Sequence, residues 1–159
     1  MTELTTRRAT RDDSDALTAI ARAAKAHWGY PSDLLDLWGE NLTVTPAFIT
    51  ENLVLCAVED GIIVGFAAAR PCDDGWELEH LWVMPDHMAH GVGRRLFAEV
   101  VEALRALGVR SLRIVSDPHA EGFYRHMGAR VVGEVESRPP GRRLPLLTRG
   151  IPDTRTDRV

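Results

Sequence analysis

The stretch from Glu77 to Arg95, ELEHLWVMPDHMAHGVGRR, limits what this chain can fold into more than any other. Trp76 to Val83 reads as a strand, and Pro85 stops it because proline has no N–H to give a ladder. After a short loop, Gly91 and Gly93 stand at the head of a helix spanning His90 to Leu107. There Val92, Leu96, Phe97, Val100, Val101, Leu104 and Leu107 share one face, while Arg94, Arg95, Glu99, Glu102 and Arg105 fall elsewhere. Gly108 supplies the stop. A strand that enters a strong helix through glycines builds an anion site. Glycine lets a ligand approach the backbone, and the unpaired N–H groups of the first turn point at it with the helix dipole behind them.

The flanking pattern alternates strands and helices. Leu4 to Thr10 reads as a strand, and Arg11-Asp12-Asp13-Ser14 as a helix start made of short polar side chains. Asp15 to Ala26 is helical, with Leu17, Ile20, Ala21 and Ala24 on one face. Gly29-Tyr30-Pro31 interrupts it. A second short helix then runs through Leu34, Leu35, Leu37 and Trp38, and a third piece follows Pro46. Leu53 to Glu59 and Ile62 to Arg70 are strands joined by Asp60-Gly61, which permits the positive φ of a tight hairpin.

Beyond the long helix come a strand from Ser111 to Val115 and a helix from Pro118 to Met127, ended by Gly128. Strands around Ala129 to Val135 and Leu144 to Thr148 follow, separated by a loop rich in Pro, Gly and Arg from Arg138 to Arg143. Residues 151–159, IPDTRTDRV, read as a flexible tail. The order β-α-α-β-β-β-α-β-α-β-β is that of a mixed α/β domain with a central sheet. With 159 residues, 45% of them apolar and 26% charged, the sequence suits one globular domain, here 1–150.

Charge and cysteine usage exclude several classes. Nineteen basic against 23 acidic residues leave a net charge of −4, which gives no electrostatic reason to expect nucleic acid or an anionic membrane as partner. All the basic residues but Lys25 are Arg. Cys56 and Cys72 lie far apart with no CxxC, so they read as two reduced thiols. The first residues, MTELTTRRATRDD, have no apolar core of a signal peptide, and no run of about 18 apolar residues occurs. The expectation is a cytoplasmic protein.

Two nucleotide readings of the glycine turn fail. Gly91-Val92-Gly93 leads to Leu96 where a dinucleotide fingerprint needs Gly or Ala, and no Lys-Ser/Thr follows as a Walker loop requires. The stretch instead resembles motif A of the GNAT superfamily of N-acetyltransferases. Its strand end reads Leu81-Trp82-Val83-Met84-Pro85 and its loop Met88-Ala89-His90-Gly91-Val92-Gly93, with Met88 where Gln or Arg is usual. Downstream, Asp117-Pro118-His119-Ala120-Glu121-Gly122-Phe123-Tyr124-Arg125-His126-Met127-Gly128-Ala129 resembles motif B, with Asp117 in place of Asn. The resemblance covers about residues 3 to 150.

It implies a GNAT-type fold, a mostly antiparallel central sheet flanked by helices, and acetyl-CoA as co-substrate. The strand end Leu81, Trp82 and Val83 is then assigned to the cofactor, with backbone groups of Leu81 and Val83 on the pantetheine and the thioester oxygen. Met88, Ala89, His90, Gly91, Val92, Gly93 and Arg94 form the phosphate loop, the amides of His90 through Arg94 holding the pyrophosphate. Asp117 and Phe123 are assigned to the cofactor arm. Tyr124 occupies the place of a general acid for the departing thiolate; periodicity alone reads it as packing beside Ala120, Phe123 and Met127.

Acyl transfer to an amine also needs a base. Glu77, then Glu79, are the candidates: two apart on a strand, they share one face, and His80 projects from the other unless a bulge intervenes. Paired carboxylates attract a cationic amine and perturb each other's ionisation. His80, His87, His90 and Asp86 match no usual metal-ligand spacing, and no metal is expected. His119 and His126 are expected on the exposed side of their helix. Trp28 and Tyr30 are read either as an aromatic wall of the acceptor pocket or as a core plug. Arg138, Arg142 and Arg143 either meet an anionic acceptor or sit in a solvated loop. Cys72 has no activating partner, which disfavours an acetyl-cysteine.

Leu144 to Thr148 is the candidate sheet edge for a homodimer. The function implied is an acetyl-CoA-dependent N-acetyltransferase acting on a primary amine of a small molecule or peptide by direct attack. The alternative is a catalytically silent acyl-CoA-binding sensor or interaction module.

Overall fold

A computed structural model describes residues 3–153. After β1 (Leu4–Arg8) and a 3-10 turn at Arg11–Asp13 come α1 (Ser14–His27), α2 (Ser32–Leu37), α3 (Gly39–Leu42) and α4 (Pro46–Glu51). The antiparallel run β2 (Leu53–Glu59), β3 (Ile62–Cys72) and β4 (Gly75–Val83) follows. A 3-10 turn at Pro85–His87 leads to α5 (Val92–Ala106) and β5 (Ser111–Val115). The chain ends with a 3-10 turn at Pro118–Ala120, α6 (Glu121–His126), β6 (Arg130–Glu136) and β7 (Arg143–Gly150). The helix expected from Pro118 to Met127 is thus split: Asp117 caps a 3-10 turn through the His119 amide before α6 begins.

The mixed α/β sheet is as expected. Its order is β1-β2-β3-β4-β5-β7-β6, and every pairing is antiparallel except β4 with β5. β7 is therefore an interior strand, not the expected edge. It pairs with β5 on one side and β6 on the other, and its Leu147 is fully buried. The edge is β6, whose mostly exposed residues, Glu134 and Glu136 among them, suit a strand with one flank open to water.

Each face of the sheet carries its own core. On one, Val92, Leu96, Phe97, Val100, Val101 and Leu104 of α5 pack against Leu53, Val64, Leu78, Leu112 and Leu147. On the other, Leu17, Ile20 and Ala21 of α1 pack with Trp38, Leu42, Ile49, Cys56 and Phe66. Gly65 sets how close α5 comes, since a Cβ there would lie 3.0 Å from both the Trp82 carbonyl oxygen and the Val92 side chain. The first turn of α5 is in this way seated on the end of β4.

Three expectations are corrected. Leu107 is exposed, because α5 stops at Ala106 and the chain reverses at Gly108 with φ +80°. The tail reading fails for Ile151, which is buried and donates its N–H to the Arg110 carbonyl at 2.8 Å; residues 154–159 lie outside the described residues. A bulge also falls in β4. Ala68 faces His80 and Ala69 faces Leu78, so Glu79 is the extra residue and strict alternation breaks there. Leu78 joins the α5 core while His80 packs on Phe48 and Phe66 of the other face. No described helix is long and apolar enough to cross a membrane.

Candidate active site

β4 and β5 pair only through Trp76 with Leu112, Glu77 with Arg113 and Leu78 with Ile114. Beyond Leu78 they part, and a cleft of about 620 Å³ opens between them. One wall is β4 from Leu78 to Val83, which includes Leu81 and Trp82. The opposite wall is Val115, Asp117, His119, Phe123, Tyr124 and His126, and Trp28 closes one side. Met88, Ala89, Gly91, Val92, Gly93 and Arg94 form the end, while His90 is not part of the lining.

That end is built to meet an anion. Gly91 caps α5 from the left-handed region at φ +82°, and no side chain caps the helix. The Arg95 N–H reaches the Gly91 carbonyl at 3.1 Å, so the amides of Val92, Gly93 and Arg94 have no acceptor inside the helix. Ala89 also adopts φ +67°, a conformation that costs a non-glycine residue energy and turns the loop sharply into the helix. Nothing lies within 4 Å of where a Cβ on Gly91 would stand, so the backbone is open to a ligand. Across the cleft, Arg94 Nη2 donates to His126 Nε2 at 2.9 Å.

The two glutamates meet through arginine. Arg70 Nε lies 2.9 Å from Glu79 Oε2, Arg70 Nη2 lies 3.3 Å from Glu77 Oε2, and Arg113 Nη1 stands 3.9 Å from Glu77 Oε1. Glu79 lines the cleft and Glu77 does not. His80, also on the wall, is buried, and its Nδ1 accepts the Trp82 indole N–H at 3.1 Å. Burial, helped by the charge of Arg70, pushes its ionisation down to about 4, so the ring is neutral with its proton on Nε2. Tyr124 is buried against Phe97 and Phe123 yet still faces the cleft. Burial, and secondarily the charge of Asp117, raises its phenol well above the ordinary value.

Asp117 is the hub of a network that joins five segments. Lys25 Nζ from α1 reaches Asp117 Oδ2 at 2.5 Å, and Tyr30 Oη donates to the same oxygen at 3.0 Å. His119 approaches Asp117 Oδ1 with its ring Nδ1 at 2.8 Å and its amide at 2.9 Å. Arg142 from the β6–β7 loop donates to Tyr30 Oη at 3.3 Å and lies over the Trp38 ring at 4.5 Å. The Trp38 indole donates to the Arg138 carbonyl at 3.1 Å. Burial acts to raise the Asp117 carboxyl, but the hydrogen bonds from Lys25 and His119 and the lysine's charge outweigh it and hold it at about 2. On Lys25 the balance is reversed: desolvation pushes the ammonium down more than Asp117 lifts it.

Several sequence readings change accordingly. Trp28 lines the cleft, stacked on His119 with centroids 4.8 Å apart, whereas Tyr30 is absorbed into the Asp117 network and is not on the lining. His119 and His126 are exposed, as expected, and both also border the cleft. Arg142 is packed on aromatic rings instead of solvated, and Arg143 pairs with Glu134. Lys25 was not legible as a site residue, although its helical spacing from Ala21 puts it on the buried face of α1. Among the described residues no group of three His, Cys, Asp or Glu side chains is placed to hold a metal ion.

A cleft between splayed parallel strands, headed by a glycine-opened helix, defines a class of fold suited to an extended ligand that carries an anionic group. The chain belongs to the acetyltransferase (GNAT) family, whose model matches residues 15–129. An uncharacterised N-acetyltransferase, ycf52, of Gracilaria tenuistipitata var. liui is 26% identical over 90 residues, 55% of this chain and 48% of that protein. The chain thus matches about half the length of this curated relative. The PaiA N-acetyltransferase of Thermoplasma acidophilum, solved in complex with coenzyme A, superposes with a TM-score of 0.78 at 18% identity, covering 93% of this chain and 99% of that one. YncA of Salmonella typhimurium, described as a putative acetyltransferase and solved with acetyl-CoA, gives 0.68 at 20% identity over 95% of both chains.

Proposed function

We propose that this protein transfers the acetyl group of acetyl-CoA to a primary amine of a small molecule or peptide, by direct attack while both are bound. One observation carries the reading. The uncapped, glycine-headed start of α5 and the unpaired end of β4 face the same cleft. The first suits a pyrophosphate, through the amides of Val92, Gly93 and Arg94. The second suits an extended amide-bearing arm, through backbone groups of Leu81 and Val83 that β5 leaves free. When bound there, acetyl-CoA supplies an activated acetyl group as a thioester.

The chain's own residues then divide the proton work. Glu79, on the cleft wall with Glu77 behind it, draws in the cationic amine and takes its first proton, directly or through water. Tyr124, whose raised ionisation keeps the phenol protonated, offers the departing sulfur a hydrogen bond. Cys56 is buried with its thiol pushed up to about 11, and Cys72 is not on the cleft lining. Both facts support direct attack over an acetyl-enzyme.

A second reading, a silent acyl-CoA-binding module, draws support from Arg70, which occupies an oxygen of each candidate base. Free-thiol release with acetyl-CoA over a panel of amino acids, polyamines, aminoglycosides and short peptides, beside calorimetric titration of coenzyme A, separates the two. Turnover on one class, with initial-rate lines that intersect, is expected. Binding without turnover selects the silent module, and no binding removes both readings.

A further inference from the structure

The transfer needs a second proton movement that neither Glu79 nor Tyr124 covers. When the neutral amine bonds to the acyl carbon its nitrogen becomes cationic and must lose a proton, while the sulfur leaving that carbon must gain one. A phenol held well above its ordinary ionisation does not readily give up its proton. Imidazole is the side chain suited to take a proton and return it near neutral pH.

Resting on the acetyl-transfer reading above, we propose that His119 relays this proton from the attacking nitrogen to the departing sulfur, with Asp117 as its orienting carboxylate. The ring lines the same wall as Tyr124. Its Nδ1 is 2.8 Å from Asp117 Oδ1, and its plane is stacked on Trp28 with only 8° between the rings. Tyr30 Oη is also near Nδ1, at 3.3 Å, but lies closer to Asp117 Oδ2, at 3.0 Å.

The tautomer follows from these contacts. Asp117 is ionised at neutral pH and can only accept, so a nitrogen 2.8 Å from its oxygen must carry the hydrogen. In the neutral ring this leaves the lone pair on Nε2, which makes no hydrogen bond with the described residues. Nδ1 is thus turned to the carboxylate, and Nε2 is left unbonded on a ring that borders the cleft, the arrangement in which a carboxylate steadies an imidazolium once it forms.

The step balances. The nitrogen–carbon bond forms and the carbon–sulfur bond breaks, with its electron pair leaving on sulfur. His119 Nε2 takes the proton that nitrogen sheds and delivers it to that sulfur, ending neutral as it began. The charged and titratable groups facing the ring are Asp117 directly and Tyr30 from the α1–α2 loop. Lys25 and Arg142 act through Asp117, at 2.5 and 3.7 Å from its Oδ2.

The test uses the full chain and two readouts. In the free protein, long-range nitrogen–proton NMR is expected to show His119 as the Nδ1–H tautomer; an Nε2–H tautomer would overturn the proposal without reference to activity. His119→Asn keeps an amide N–H able to donate to Asp117 and removes the relay nitrogen. It is expected to lower kcat about 100-fold, to leave the KM for acetyl-CoA and the affinity for coenzyme A within about threefold, and to erase the imidazole ionisation from the kcat/KM pH profile. His119→Gln, which reaches farther, is expected to do the same, guarding against a local packing fault in the first variant. A kcat within about twofold of wild type in either folded variant, or an unchanged pH profile, overturns the relay alone. A wild type without turnover on any amine overturns the acetyl-transfer reading and the relay with it.

Discussion

Replacing Lys25 by methionine removes the cation that sits 2.5 Å from Asp117 in a site where both side chains are about nine-tenths buried. The carboxyl stands near 2 instead of its ordinary 3.8, a separation of nearly two units. At about 1.4 kcal/mol per unit, its folded-state interactions favour the charged form by roughly 2–3 kcal/mol after burial has been opposed. Without Lys25 the opposing burial remains, and His119, Tyr30 and the more distant Arg142 are left to meet it. Losing one partner of a buried pair costs about 3–5 kcal/mol, and the remaining donors place this case near 3.

For a chain of this size that lowers Tm by about 6–12 °C. Asp117→Asn alone is expected to cost a similar amount, because it strands an ammonium already pushed down by burial beneath Tyr30 and Trp38. The double variant is expected within about 1 kcal/mol of wild type, since both uncompensated charges are then gone. Urea unfolding of the four proteins measures the cycle. A single variant that costs under about 1 kcal/mol, or a double that costs the sum of the singles, would refute the reasoning.

Other outcomes follow from the same geometry. Gly91→Val forces a β-branched residue to φ +82° at the open amide turn, so coenzyme A affinity should fall at least tenfold by calorimetry; an unchanged Kd would show that this turn does not bind it. Tyr124→Phe should leave stability within about 1 kcal/mol and lower kcat about tenfold in the thiol-release assay, whereas equal activity would leave the phenol only a packing role. Ile151→Ala should cost about 2–4 kcal/mol in urea because the side chain is buried; a cost below about 0.5 would mark a frayed tail instead. Asp117 and Asp13 are both held near 2, so the stability they contribute is present above their ordinary 3.8 and is lost as pH falls from about 4 to 2. Unfolding free energies that stay level across that window would contradict both assignments.

Local chemistry made much of this fold legible. Asp60-Gly61 marks its hairpin with two positive φ angles, and the α5 stripe from Val92 to Leu104 buries as its helical spacing predicts. The glycine turn at α5 was readable because its physics sits within a few residues. What escaped depends on residues far apart in sequence. Nothing local to Leu144–Thr148 shows that β7 inserts between β5 and β6. The bulge at Glu79, which puts Leu78 and His80 on opposite faces, comes from the register with β3 and not from β4 itself. Lys25 and Asp117 are 92 positions apart, and Arg142 lies 112 from Tyr30, so their network appears only once the sheet has assembled. Reading Asp117 as a substituted cofactor contact missed that its charge is committed to Lys25, and with it the orientation of His119.

The central claim is tested most directly by incubating the protein with acetyl-CoA labelled in its acetyl group together with the amine panel, and following the label by mass spectrometry. The account predicts label on the nitrogen of one acceptor class and none on the protein. Label on Cys72 or Cys56 before it reaches the amine, or on no amine while coenzyme A binds tightly, would contradict it.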